Sequence, residues 1–172
     1  RLVWIENTHN GGGGTVYPIA LVAELSQLAH SRGMALHMDG ARLFNAVVAS
    51  GVSAAEYASK CDSVSFCLSK GLGCPVGSVL AGSRDFMQQA RRWRKILGGG
   101  MRQAGILAAA GIYALDHNID RLREDHGNAR MLAAMLAAHP LVKLNPACVE
   151  TNIIQVAFAD KVSASDLVAR AK

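Results

Sequence analysis

Long apolar runs are missing from this chain: stretches such as Ile106–Ala110 and Ala133–Ala138 fall far short of the roughly 20 residues a membrane-spanning helix needs. No membrane partner is therefore expected. Paired cysteines are missing as well. Cys61, Cys67, Cys74 and Cys148 include no C-x-x-C spacing, so no metal centre is expected. Cys67 lies in an apolar run where a reduced thiol packs well, and a reducing, cytoplasmic setting is expected. No nucleic-acid-binding signature accompanies the formal net charge of +5. Most of that excess sits in Arg91-Arg92-Trp93-Arg94-Lys95 and nearby Arg102, so it calls for a local explanation and no nucleic-acid partner is expected. The chain opens without an initiator methionine, charged leader or cleavage-site pattern; Arg1-Leu2-Val3-Trp4-Ile5-Glu6 reads as a strand already under way. The chain is thus expected to begin inside a longer product. Internal repeats are absent, and the only low-complexity stretch is Gly11–Gly14.

What is present is enough apolar material for one sizeable core: 51% of 172 residues are hydrophobic, within the usual range of a single domain. Strand-like segments at Leu2–Ile5, Ala35–Met38, Ser63–Cys67 and Ser78–Ala81 alternate with helical patterns, which predicts an α/β fold. The first helix is expected to begin at Pro18, to bury Leu21, Leu25, Leu28 and Ala29, and to stop at Gly33. Further helices are predicted over Ser53–Lys60 and Arg84–Leu97, the latter ended by Gly98-Gly99-Gly100, whose freedom is too costly inside a helix. Gln103–Leu115 is small and apolar on nearly every side, and is expected to be buried within the domain or against another subunit. Asp116–Arg130 is polar and helix-compatible; Met131–Ala138 resumes an apolar pattern that His139-Pro140 breaks. Val142–Leu144 and Ile153–Phe158 read as strands, with a helix starting near Ser163. The change near residue 125 divides the chain into a partial large domain, 1–125, and the start of a smaller α/β domain, 126–172.

Two residues stand where α/β sheets present their ligands, outside the carboxyl ends of strands. Lys70, in Ser69-Lys70-Gly71, follows an apolar strand. Partial desolvation there would favour the neutral amine that attacks an aldehyde. Asp39 ends the strand of His37-Met38-Asp39-Gly40-Ala41-Arg42, and an acid in that position can salt-bridge the pyridinium nitrogen of pyridoxal 5′-phosphate, keeping its ring an electron sink. Arg42 lies three residues on, close enough to orient a carboxylate or an edge of the cofactor. His9, in Glu6-Asn7-Thr8-His9-Asn10, stands at a strand end as a candidate base, and Asn7 or Asn10 could orient the cofactor or a water. His37 is expected to point away from Asp39.

Glu6–Asn10, His37–Asn45 and Cys67–Gly73 resemble, in order, segments of the PLP-dependent threonine aldolases. Arg92–Lys95 followed by Gly98–Gln103 is similar to that family's basic helix and glycine turn. The resemblance runs from residue 1 to about residue 130 and continues weakly through Thr151-Asn152. It implies fold type I of the PLP enzymes, with part of the large domain's mainly parallel sheet followed by the start of a small α/β domain. It also implies retro-aldol cleavage of L-threonine, L-allo-threonine and related β-hydroxy-α-amino acids to glycine and an aldehyde. Carried over, Lys70 matches the Schiff-base lysine, Asp39 the pyridinium partner and Arg42 the neighbouring arginine. Lys95 and Arg102 match basic positions near the cofactor phosphate of the partner subunit, in a homodimer or homotetramer. The alternatives are another fold type I lyase that eliminates at Cβ, and a fragment without catalytic competence.

Against the family pattern, Gly11–Gly14 lengthens the loop before the first helix and is expected to loosen it. The family's phosphate loop and ring-stacking histidine would precede Arg1, and its arginine for the substrate carboxylate would follow Lys172. Taken as an entire polypeptide, the chain is expected to retain cofactor weakly and to show little aldolase activity.

Overall fold

Hydrophobic alternation in the first third of the chain resolves into parallel strands. In the computed structural model, which describes residues 1–159 and 163–170, β1 (Leu2–Glu6), β2 (Ala35–Asp39), β3 (Ser63–Cys67) and β4 (Ser78–Gly82) form one sheet in that order. β1, β2 and β3 are parallel, with Trp4 opposite His37 and Met38 opposite Val64, and β4 closes the edge antiparallel to β3. This agrees with the mainly parallel sheet expected from the sequence.

The crossovers lie on one face. Helix α1 (Ile19–Ser31) joins β1 to β2, while α2 (Leu43–Ser50) and α3 (Ala54–Ala58) join β2 to β3. Their inward residues meet alternate strand residues in one core: Val22, Ala29, Leu43, Ala46 and Tyr57 against Ile5, Leu36, Met38 and Val64. Leu36 and Met38 are fully buried, which removes from water side chains worth about 1.5–3 kcal/mol each. α3 starts on a serine cap, Ser53 Oγ accepting from the Glu56 N–H at 3.1 Å, which satisfies one of the helix's free first-turn donors.

α1 sits differently from its apolar pattern. Val22, Ser26 and Ala29 are buried, whereas Leu21 and Leu28 are 39% and 48% exposed. The i, i+4, i+7 stripe of smaller residues faces the sheet, and the two leucines lie outside it. α2 was not foreseen; its end is marked by Gly51 at φ +74.

After β4 come α4 (Arg84–Ile96), α5 (Gly105–His117) and α6 (Leu122–Ala137). α4 has no buried residue. The expectation that α5 is buried within the domain is corrected. Gly111 and Ala114 are buried, but Ile106, Ile112 and Tyr113 are 84%, 63% and 62% exposed. The face that carries Ala110, Ala114 and Leu115 meets this chain, around Leu68, Leu72 and Cys74.

α6 runs without a break from the polar stretch into the apolar one and ends before His139-Pro140. Behind it β5 (Val142–Lys143) pairs antiparallel with β6 (Ala157–Phe158). The strand expected over Ile153–Phe158 is thus reduced to its last two residues; before them, the side chains of Ile153 and Gln155 meet the loop at residues 11–14. The final helix, α7, covers Ala164–Arg170. The expected small domain extends over residues 160–162 and 171–172, which lie outside the described residues.

Candidate active site

The ladder that joins β1, β2 and β3 continues past their carboxyl ends and fixes the backbone around Asp39. The Asn7 N–H donates to Asp39 O at 2.9 Å, and the Gly40 N–H to Ser65 O at 2.7 Å. A Cβ on Gly40 would stand 2.7 Å from that same Ser65 oxygen, so only glycine lets the chain turn here. Asp39 Oδ1 accepts from the Ala41 N–H at 3.0 Å; Oδ2 takes no hydrogen bond among the described residues and remains for a cationic partner. Arg42 precedes α2, and its carbonyl accepts from Asn45 N–H at 3.0 Å.

His37 corrects one expectation. Two residues before Asp39 in a strand, it shares that residue's face, and its ring lies between Ser63 Oγ at 2.8 Å and Ser65 Oγ at 3.5 Å. It is hydrogen-bonded into the sheet.

Lys70 emerges from the neighbouring strand end, in a turn closed by Gly73 N–H to Lys70 O at 2.9 Å and Cys74 N–H to Leu68 O at 3.1 Å. Leu68, Leu72 and Cys74 face inward, toward Ala114. Lys70 is exposed, which corrects the expected partial desolvation: the turn spends its inward positions on those apolar side chains. No carboxylate pairs with Lys70 among the described residues, so its amine is available. Parallel pairing of β2 with β3 thus brings the Asp39 carboxylate and the Lys70 turn to one sheet edge.

His9 stands on the far side of β2. Its Nε2 lies 3.8 Å from Glu6 Oε2 and its side chain is about half exposed, while its backbone bridges to Thr15. The glycine loop beyond it is tied down, contrary to the loosening expected. Gln155 Nε2 donates to Gly11 O at 2.7 Å, Thr151 Oγ1 to Gly14 O at 2.6 Å, and the Val16 N–H to Glu150 Oε2 at 2.9 Å. Gly14 has φ +77, and a Cβ there would collide with Thr151 Oγ1.

Lys95 on α4 and Arg102 beyond the glycine turn are both exposed. Neither forms a hydrogen bond or ion pair with Asp39, Arg42 or Lys70 among the described residues. Buried Asn7 Nδ2 and Thr8 Oγ1 have no hydrogen-bond partner there; they sit at the end of β1 beside Asp39. No group of three or more metal-ligating side chains occurs among the described residues.

Among the described residues, three titrating groups are displaced, none of them Asp39, Arg42 or Lys70. A hydrogen bond from His30 and one from the Leu36 N–H hold Asp62 below the ordinary carboxylate range. Burial, helped by the Asp62 charge, pushes the Cys61 thiol up to about 11. Burial, with Arg130 and Arg123 nearby, lowers His126 despite the opposing Asp125.

An acid and a lysine thus stand at adjacent carboxyl ends of a parallel sheet, where α/β folds present their ligands, and the fold is that of the type I pyridoxal-phosphate enzymes. The family profile described as Beta-eliminating lyase matches residues 1–159, and the chain belongs to that family, whose cofactor is pyridoxal 5′-phosphate. Within it, the chain is similar to the low-specificity L-threonine aldolase of Escherichia coli K12, with 56% identity over 79% of this chain and 40% of that protein. Low-specificity L-threonine aldolase 1 of Arabidopsis thaliana is 46% identical over 98% of this chain and 46% of its own length. A Listeria monocytogenes structure assigned as an L-allo-threonine aldolase superposes with a TM-score of 0.85 at 30% identity, covering 96% of this chain and 46% of that one. The chain therefore spans less than half the length of these relatives. No described helix is long and apolar enough to cross a membrane.

Proposed function

We propose that this chain forms part of the active site of a PLP-dependent aldehyde-lyase that cleaves L-threonine, L-allo-threonine and related β-hydroxy-α-amino acids to glycine and an aldehyde. The observation that carries this reading is the pairing of β2 with β3, which delivers Asp39 and the Lys70 turn to one edge. The likeness to threonine aldolases supports the substrate class. The residues fit the cofactor: Asp39 keeps one carboxylate oxygen unused, and Lys70 has no acidic partner among the described residues. When bound, pyridoxal phosphate supplies a protonated ring that withdraws electrons from the substrate's Cα–Cβ bond.

The protein's own groups do the rest. Lys70 is the residue whose amine would hold the cofactor, through its aldehyde carbon with release of water, until a substrate amine took its place. Asp39 holds the proton at the ring nitrogen, where opposite charges a few ångströms apart favour each other. Arg42 orients a carboxylate or an edge of the ring. His9 is the candidate base for the β-hydroxyl proton, with Glu6 beside its ring. Lys95 and Arg102 serve the phosphate of a second subunit, a role supported by their exposure. The apolar outer face of α5 supports assembly into a homodimer or homotetramer. The boundary near residue 125 belongs to the same reading: a separate two-stranded sheet and a separate cluster of Ala129, Ala133 and Val149 lie beyond it. Four free cysteines fit a cytoplasmic setting.

The test is borohydride reduction of the chain with pyridoxal phosphate, followed by peptide mass mapping. Label is expected at Lys70 and absent in Lys70→Ala. Assayed in the full-length protein, threonine should yield glycine, and turnover of tryptophan or tyrosine by β-elimination alone would sink the aldolase reading.

A further inference from the structure

The turn that carries Lys70 is held from below by residues outside its own Cys67–Gly73 motif. Asn118, which ends α5, donates its Nδ2–H to the Leu72 carbonyl at 2.8 Å. Among the described residues it is the only side-chain hydrogen bond to the turn's backbone; the Leu68 N–H donates to Gly77 O ahead of β4, the Cys74 thiol reaches Ala110 O of α5 at 3.4 Å, and the remaining backbone bonds close the turn on itself. A Cβ on Gly73 would stand 3.6 Å from that same Asn118 nitrogen. Leu122, at the start of α6 and 1% exposed, packs beneath Gly71, where a Cβ would come within 2.6 Å of its Cδ2. One turn along α6, His126 Nε2 meets Asn45 Nδ2 of α2 at 3.1 Å, and both residues are buried. Neutral imidazole accepting from the amide is the arrangement that satisfies both groups. Asn45 Oδ1 itself lies 3.8 Å from the Cβ position of Gly71.

A lysine amine sits at the end of four rotatable bonds, so its reach is decided by where its Cα is held. Displacement of a reacting group by about 1 Å can cost on the order of a hundredfold in rate. We propose that Asn118 is a positioning residue for Lys70, tying the lysine turn to α5, and that the Asn45–His126 contact seats α6 beneath that turn. The inference rests on Lys70 being the cofactor-bearing lysine.

The closing experiment measures the rate at which pyridoxal phosphate becomes borohydride-trappable on Lys70, in the chain as it stands and in Asn118→Asp, which keeps the shape but sets a carboxylate against the Leu72 carbonyl. Trapping in Asn118→Asp should be about tenfold slower, and the pH midpoint of the visible absorption of bound cofactor should shift, with secondary structure unchanged. Asn118→Gln, which restores an amide donor, should recover part of the rate; a merely structural defect would not respond in this way. Should Asn118→Asp fail to fold, Asn118→Ser carries the same comparison. Trapping within about twofold of the parent, or a loss that only follows the unfolded fraction, overturns the inference. A parent chain that takes no label at Lys70 refutes the cofactor reading first, and the inference falls with it.

Discussion

The two faces of the central sheet obey opposite rules. On the helix-covered face, Ile5, Leu36, Met38 and Val64 are all at or below 7% exposure. On the other face the register brings Leu2, Trp4 and Glu6 beside Ala35, His37 and Asp39, and then Ser63 and Ser65. There Trp4 is 66% and Leu2 59% exposed, and polar side chains bond to one another across strands. The covered face holds the fold together. The open face leads to the proposed site, because Asp39 belongs to it and the Lys70 turn follows from the same edge. A site can be polar and accessible here because the stabilising burial lies on the opposite side of the same strands.

This division can be broken most directly on the covered face. Leu36→Ala should lower the unfolding free energy by about 2–5 kcal/mol, the range for a fully buried leucine, measured by urea denaturation; a loss under about 1 kcal/mol would refute the assignment of the core. Gly14→Ala should cost about 1–3 kcal/mol, since it forces a side chain into left-handed backbone and displaces Thr151. Faster amide exchange around Glu150–Gln155 is the accompanying signature.

His126 sharpens the comparison through pH. Its folded value lies below the ordinary 6.5, so between the two values the unfolded chain binds more protons. Its contribution to stability is therefore fully present above pH 6.5 and is lost as pH falls toward the folded value. The melting temperature should drop across that window, and His126→Asn should flatten the drop.

The open face predicts the smallest changes. Trp4→Ser and Asp39→Asn should each alter stability by no more than about 0.5 kcal/mol in the same denaturation. Asp39→Asn should nonetheless weaken retention of pyridoxal phosphate, read by equilibrium dialysis. A large stability loss in either variant would mean that the open face is structural after all.

Much of this was legible in the sequence because strand ends are local events. Asp39 and Lys70 each close a short apolar run, and their motifs fall in family order. The four strands of the sheet and helices α1, α3 and α4 were likewise placed within a few residues. What escaped was set by partners far along the chain. Asn118 and Leu72 are 46 residues apart, and Asn45 and His126 are 81 apart, so no local pattern announces either pair. The face of α1 is half as expected: Ala29 is buried and Leu25 packs against the core, but Leu21 and Leu28 face out, and Val22 and Ser26 take the neighbouring sheet-facing positions. α5 was expected to be buried within the domain or against another subunit, and within this chain only one of its faces is covered. The glycine loop reads as loose on composition, but the side chains of Thr151 and Gln155, far along the chain, hold its carbonyls.

That loop also bears on how the chain folds. Thr151 and Gly14 are separated by 137 positions, whereas β1 meets β2 after one helix. Bringing distant segments together carries an entropic cost that grows with the logarithm of the intervening length, and it must be met before the contact returns anything. The sheet and its helices can therefore assemble first, with the clasp between residues 11–16 and 150–155 closing late, as the step that joins the chain's two ends.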